Sequence, residues 1–186
     1  MRWNARAGLT HTLNRLLGYH TESVIQDVDI VLVSGGSSMG MRDFTVSAIN
    51  SLGEPGVLIH GISIKPGKPT IVGRLDIEGG NKVLIGIPGH PVSAMMIFHK
   101  FVVPVIRRLR GEKDILVSQK GKVLACLSRN LPSAPGREDM IRVSLELVGD
   151  KLVASPLMGN SAMISTMTKA DGYLIIPTDL DGLVSV

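Results

Sequence analysis

Val28-Asp29-Ile30-Val31-Leu32-Val33-Ser34-Gly35-Gly36-Ser37-Ser38-Met39-Gly40 decides the fold class. Its first six residues form a short, apolar, β-branched run, which predicts a parallel strand buried on both faces. A glycine-rich turn follows. Phe44 to Leu52 then has helical spacing, and Gly53 stands where a helix ends at its C′ position. Strand, glycine turn and helix in that order predict an α/β domain with ligands taken at the carboxyl ends of the strands.

Working outward, the same alternation continues. Val57 to Ile64, Thr70 to Leu75 and Val83 to Ile87 read as strands, and Gly79-Gly80-Asn81 as a turn. A long apolar helix is expected from Ser93 to Arg110, kinked at Pro104. After Gly111-Glu112-Lys113-Asp114 the pattern changes to short alternating stretches: Val123 to Leu127, Ile141 to Val148, Leu152 to Ser155 and Tyr173 to Ile176. These predict a small barrel or sandwich. The expected organisation is an unassigned segment 1–23, a three-layer, parallel-sheet α/β domain over 24–111, and a β-barrel-like domain over 112–186. Residues 1–23 carry only Leu13, Leu16 and Leu17 as a helical face, so the sheet is expected to lack an early strand.

Composition narrows the partners. The 186 residues are 44% hydrophobic but 3% aromatic, so the core is aliphatic. A net charge of +4 without aromatic platforms argues against a nucleic-acid surface and suits a small anionic ligand. No apolar run is long enough to span a membrane, and the N-terminus lacks the pattern of a signal peptide. The single cysteine, Cys126, is expected in the core; one cysteine excludes an intramolecular disulfide and fits a reducing, cytoplasmic setting. The five histidines have no metal-cage spacing.

Three turns carry the candidate chemistry. Gly35, Gly36, Ser37, Ser38 and Gly40 can bring successive amides onto an anion, helped by the N-terminus of the next helix, although the same glycines fit a plain strand-to-helix turn. Lys65-Pro66-Gly67-Lys68-Pro69 holds two ammonium groups on a stiff backbone; a solvated surface turn is the alternative. Pro88-Gly89-His90-Pro91-Val92-Ser93 is a second rigid turn, in which Ser93 also reads as an ordinary helix cap. Asp43 is either a cap or a carboxylate for magnesium or proton transfer. The three turns are expected to share one anion site.

These motifs in this order resemble the third domain of MoeA proteins and the related domain of gephyrin. Ser133-Ala134-Pro135-Gly136-Arg137-Glu138-Asp139, Ile164-Ser165-Thr166-Met167 and Ala170-Asp171-Gly172 resemble the family's fourth, β domain. The resemblance covers nearly everything from residue 24 onward. It implies a MogA-like fold for the α/β domain, and insertion of molybdate into adenylylated molybdopterin with release of AMP and dependence on Mg2+. Asp43 is then the catalytic residue and a magnesium ligand. Gly35, Gly36, Ser37, Ser38, Gly40, Lys65, Lys68, Gly89, Pro91 and Ser93 bind the pterin and its phosphates, and Lys65, Pro66, Lys68, Ser93, Arg137 and Ser165 hold molybdate. His90 is given no catalytic role.

Family members carry two further domains before this region and an additional strand with an acidic residue, which residues 1–23 do not resemble. The isolated chain is therefore expected to associate through an open sheet edge or as a homo-oligomer, and to turn over little. The alternatives are a non-catalytic molybdopterin-binding or scaffolding remnant, and a MogA-type adenylyltransferase.

Overall fold

The computed structural model describes residues 25–34, 42–78, 80–113, 121–159 and 164–185, with the backbone alone for 42–44. The chain divides into two compact units. Residues up to 60 with 71–86 make the first, and 61–70 with 87 onward make the second. The α/β class followed by a small β domain is as expected from the sequence. The compact units, however, assign the segment 61–70 and the helix after residue 90 to the same unit as the β domain.

The first unit is built on a four-stranded sheet. Its strands are β1 (Ile30–Ser34), β2 (Pro55–His60), β4 (Ile71–Ile77) and β5 (Gly80–Ile87), in the order β1-β5-β4-β2. Helix α1 (Arg42–Ser51) covers one face through Ile49, which packs in a cluster with Ile25, Ile71, Leu75 and Leu84. Gly73 makes that approach possible, because a Cβ there would lie 2.8 Å from Ile49 Cγ2. Burying each such aliphatic side chain stabilises by about 1.5–3 kcal/mol.

The expectation of parallel strands is corrected at two pairings. β2–β4 and β4–β5 are both antiparallel, and the β4–β5 register closes with Ile77 opposite Gly80. A parallel return needs a crossover of a dozen or more residues, which the few residues around Gly79-Gly80 do not provide. β1 is also only half-buried, with Leu32 exposed, where a strand covered on both faces was expected.

The second unit begins with the excursion 61–70, which carries the two-residue strand β3 (Ile64–Lys65). The predicted long helix follows in three pieces: α2 (Pro91–Ile97), a π-helical turn (Phe98–Val102) and α3 (Val103–Leu109). Pro104 accounts for the interruption. It has no N–H to give to the Lys100 carbonyl and its ring would crowd that oxygen, so the chain widens just upstream. The Val103 N–H accordingly reaches back to the Phe98 oxygen.

The β portion contains β6 (Cys126–Leu127), β7 (Leu131–Pro132), β8 (Glu138–Val148), β9 (Lys151–Pro156), the short helix α4 (Ser165–Thr168), β10 (Gly172–Ile176) and β11 (Gly182–Leu183). The main sheet has the order β10-β8-β9-β6, and β3 pairs with β8. Cys126 is half-buried rather than a core residue.

Candidate functional site

The lysine turn is held by its own backbone. The Gly61 N–H donates to the Thr70 carbonyl at 2.9 Å and the Ile62 N–H to that of Lys68 at 2.9 Å. Thr70 returns two bonds to the Gly67 carbonyl, from its N–H at 3.1 Å and from its hydroxyl at 2.7 Å. The Lys65–Pro66 peptide bond is cis, and Gly67 has φ +132°. Gly67 also lies flat against helix α2: a Cβ there would run into Ile97 Cδ1 and come within 2.8 Å of Cγ1. Only glycine meets both demands. Lys65 and Lys68 are exposed, and no ion pair with a described carboxylate takes up either charge.

Packing within this unit brings the turn to the other candidates. β3 pairs in parallel with the head of β8, placing Ile64 opposite Glu138 and Lys65 opposite Asp139. Val92 and Met96, one helical turn apart, pack on Met140 with Ile64 and Met167 alongside. Each core residue has a site residue as its chain neighbour: Ile64 beside Lys65, Val92 beside Ser93, and Met140 beside Asp139. A cleft of about 930 Å3 results, lined among others by Lys65, Pro66, Lys68, Pro88, His90, Ser93, Arg137, Asp139 and Arg142. In the first unit, the void under α1 is only about 10 Å3, at the limit for one water molecule.

Ser93 is not the helix cap. His90 occupies that position without a side-chain bond, Pro91 follows in the first turn, and Ser93 lies buried inside the helix. Gly89 and Pro91 do not line the cleft. Ser165 opens the short helix α4 on its exposed side, outside the cleft lining, whereas Thr166 is buried and Met167 packs on the core.

Charge in the cleft is lopsided. Among the described residues, its lining carries Lys65, Lys68, Arg137 and Arg142 against a single carboxylate, Asp139. Arg137 is already committed to Asp139, through Nε at 2.8 Å and a second nitrogen at 3.3 Å. Arg142 has no described carboxylate partner. It is 6% exposed; one terminal nitrogen reaches the Gly159 carbonyl at 3.3 Å, and its buried Nε has no partner among the described residues. Burial pushes its pKa below the usual arginine value, yet an arginine stays cationic at any physiological pH. Sequence reading passed over Arg142 as a strand residue. The available signal was a charge between Met140-Ile141 and Val143, where a buried strand carries none without a reason.

Gly35, Gly36, Ser37, Ser38 and Gly40 lie outside the described residues, so the expected meeting of three turns reduces here to two turns and the head of β8. Asp43 is the second residue of α1, and its side chain also lies outside the described set. No group of three or more His, Cys, Asp and Glu side chains that could hold a metal ion gathers among the described residues. Among the described residues of the cleft the donor set does not fit a magnesium cage, since their one carboxylate, Asp139, is taken by Arg137. No helix among the described residues is long and apolar enough to cross a membrane.

Comparison with known proteins accords with this geometry. Residues 14–108 match the family model described as "Probable molybdopterin binding domain", and residues 125–185 match "MoeA C-terminal region (domain IV)". The chain is 33% identical over 150 residues to the molybdopterin molybdenumtransferase of Haemophilus influenzae, covering 80% of this chain and 35% of that protein. It is 35% identical over 153 residues to the molybdenum cofactor synthesis protein cinnamon of Drosophila melanogaster, covering 81% and 24%. The crystal structure of the molybdopterin biosynthesis MoeA protein from Pyrococcus horikosii superposes with a TM-score of 0.69 at 34% identity, covering 92% of this chain and 38% of that one. The chain thus spans about a third of the length of relatives such as the Haemophilus protein. With both family regions matched in order along a chain whose fold follows a MoeA structure, the chain belongs to the MoeA family of molybdenum cofactor biosynthesis.

Proposed function

We propose that this chain supplies the molybdate-handling part of a molybdopterin molybdenumtransferase. The cleft that gathers Lys65, Lys68 and Arg142, with no uncommitted carboxylate among the described residues of its lining, carries this reading. A tetrahedral dianion has acceptor lone pairs in every direction. It suits a site lined by two exposed lysines and a buried arginine. Ser93 and Pro66 line the same cleft. Arg137 lines the cleft while paired with Asp139 and keeps the oxyanion role that resemblance assigns to it; Arg142 is added to it, and Ser165 lies on the exposed side of α4. Gly89 and Pro91 then shape the turn that presents Ser93.

By family resemblance, Gly35, Gly36, Ser37, Ser38 and Gly40 bind the phosphate end of adenylylated molybdopterin. Asp43 is the residue through which magnesium or proton transfer would act when AMP is released. The match of residues 125–185 to a MoeA C-terminal region favours this reaction over a MogA-type adenylyltransferase. The division at residue 111 into a pterin-binding domain and a β domain, and a cytoplasmic location, belong to the same reading. Leu58 and Ile59 stand exposed on β2, an outer strand among those described, which supports self-association.

Equilibrium dialysis of the chain against molybdate tests the proposal. Saturable binding that weakens with salt and is competed by tungstate is expected. Absence of binding at millimolar molybdate would remove the proposal.

A further inference from the structure

The head of β8 presents a difficulty for an anion site. Glu138 and Asp139 are consecutive carboxylates whose backbones pair with β3, the strand that carries Lys65. Left alone, either would repel an oxyanion and compete for the lysines. Asp139 is covered locally by Arg137. Glu138 is covered from 38 residues away: Lys100 Nζ lies 2.6 and 2.7 Å from its two carboxylate oxygens, in a partly buried pair. Lys100 is in the π-helical turn that Pro104 imposes. Neither Lys100 nor Glu138 lines the cleft, although Arg137 and Asp139, the chain neighbours of Glu138, do. Glu138 also ties the wall together, because its N–H donates to the Ser63 carbonyl at 2.9 Å.

We infer that Lys100 sets the charge of the oxyanion cleft: by neutralising Glu138 it leaves Lys65, Lys68 and Arg142 uncompensated and available to a dianion. The inference rests on the oxyanion reading above. It makes Lys100 a residue acting through another, and it predicts dependence on the charge of the ligand, which a merely structural ion pair would not produce. Electrostatic energy scales with ligand charge, so a dianion suffers the square of the factor that a monoanion suffers.

The test uses the 186-residue chain, with molybdate as the dianion and perrhenate as a tetrahedral monoanion. Lys100→Met should weaken molybdate binding roughly tenfold and perrhenate binding about threefold. The double variant Lys100→Met/Glu138→Gln should return both to within about twofold of wild type, because neither partner charge is left. Glu138→Gln alone should tighten molybdate several-fold, an effect of opposite sign that survives if Lys100→Met does not fold. Equal losses for the two anions, no change in Lys100→Met, or no rescue in the double variant would overturn the inference while wild type still binds molybdate. A wild-type chain that binds neither anion would instead overturn the oxyanion reading and the inference with it.

Discussion

Replacing Arg142 by methionine should pull stability and binding in different directions. In the folded chain Arg142 is 6% exposed, its Nε has no partner among the described residues, and its side-chain bond to the Gly159 carbonyl is long at 3.3 Å. An unsatisfied buried donor costs about 1–3 kcal/mol, and a bond at the edge of acceptable length contributes about 1 kcal/mol. Methionine keeps most of the apolar stem, removes the orphan and forfeits the bond. Gly159 is exposed, so its carbonyl can turn to water. The net change therefore runs from zero to about 2 kcal/mol of added stability, or a Tm level with wild type to a few degrees above it. Molybdate should lose a charged hydrogen bond of about 1.5–3 kcal/mol, which weakens Kd roughly ten- to a hundredfold. Arg142→Lys keeps the charge but not the planar fork, and should fall between the two. Thermal unfolding and equilibrium dialysis on the same preparations decide the matter. A Tm lowered by more than 5 °C, with molybdate binding unchanged, would show that Arg142 holds the strand and does not serve the ligand; that threshold is about twice the shift expected from 1 kcal/mol in a chain of this size.

Other consequences can be read from the same geometry. Lys65→Met and Lys68→Met should each weaken molybdate about tenfold at low salt, less at high salt, with Tm nearly unchanged because both side chains are exposed. Gly67→Ala combines a backbone conformation unsuited to a side chain with a collision against Ile97, and should cost about 2–5 kcal/mol in urea unfolding. Asp43→Asn, introduced at the corresponding position of a full-length family member, should abolish AMP release and leave pterin binding largely intact; equal turnover would reduce Asp43 to a helix cap. Light scattering should find the chain associated, and Leu58→Glu, placed on the exposed part of β2, should shift it toward monomer.

Much of the molecule was legible along the chain because it depends on local chemistry. Ile30 to Ser34 is a strand, the helix ends before Gly53, Ile141 to Val148 is a strand, and the two lysines are held by Pro66, Gly67 and Pro69, each for reasons contained within a few residues. Strand direction was also available and misread: the short connection around Gly79-Gly80 forces an antiparallel return between β4 and β5. The sequence could not say which distant partner uses a charge. Arg137 and Arg142 stand five residues apart on one segment. The first pairs with Asp139 only two residues on, and only the tertiary structure leaves the second buried, with no partner for its Nε among the described residues. Lys100 reaches Glu138 across 38 residues, a contact that the spacing along the chain does not announce. Secondary structure follows from short-range sterics and hydrophobic period, whereas the sign and availability of charge at a site depend on which groups share a low-dielectric space, and that is set by packing between segments far apart in the chain.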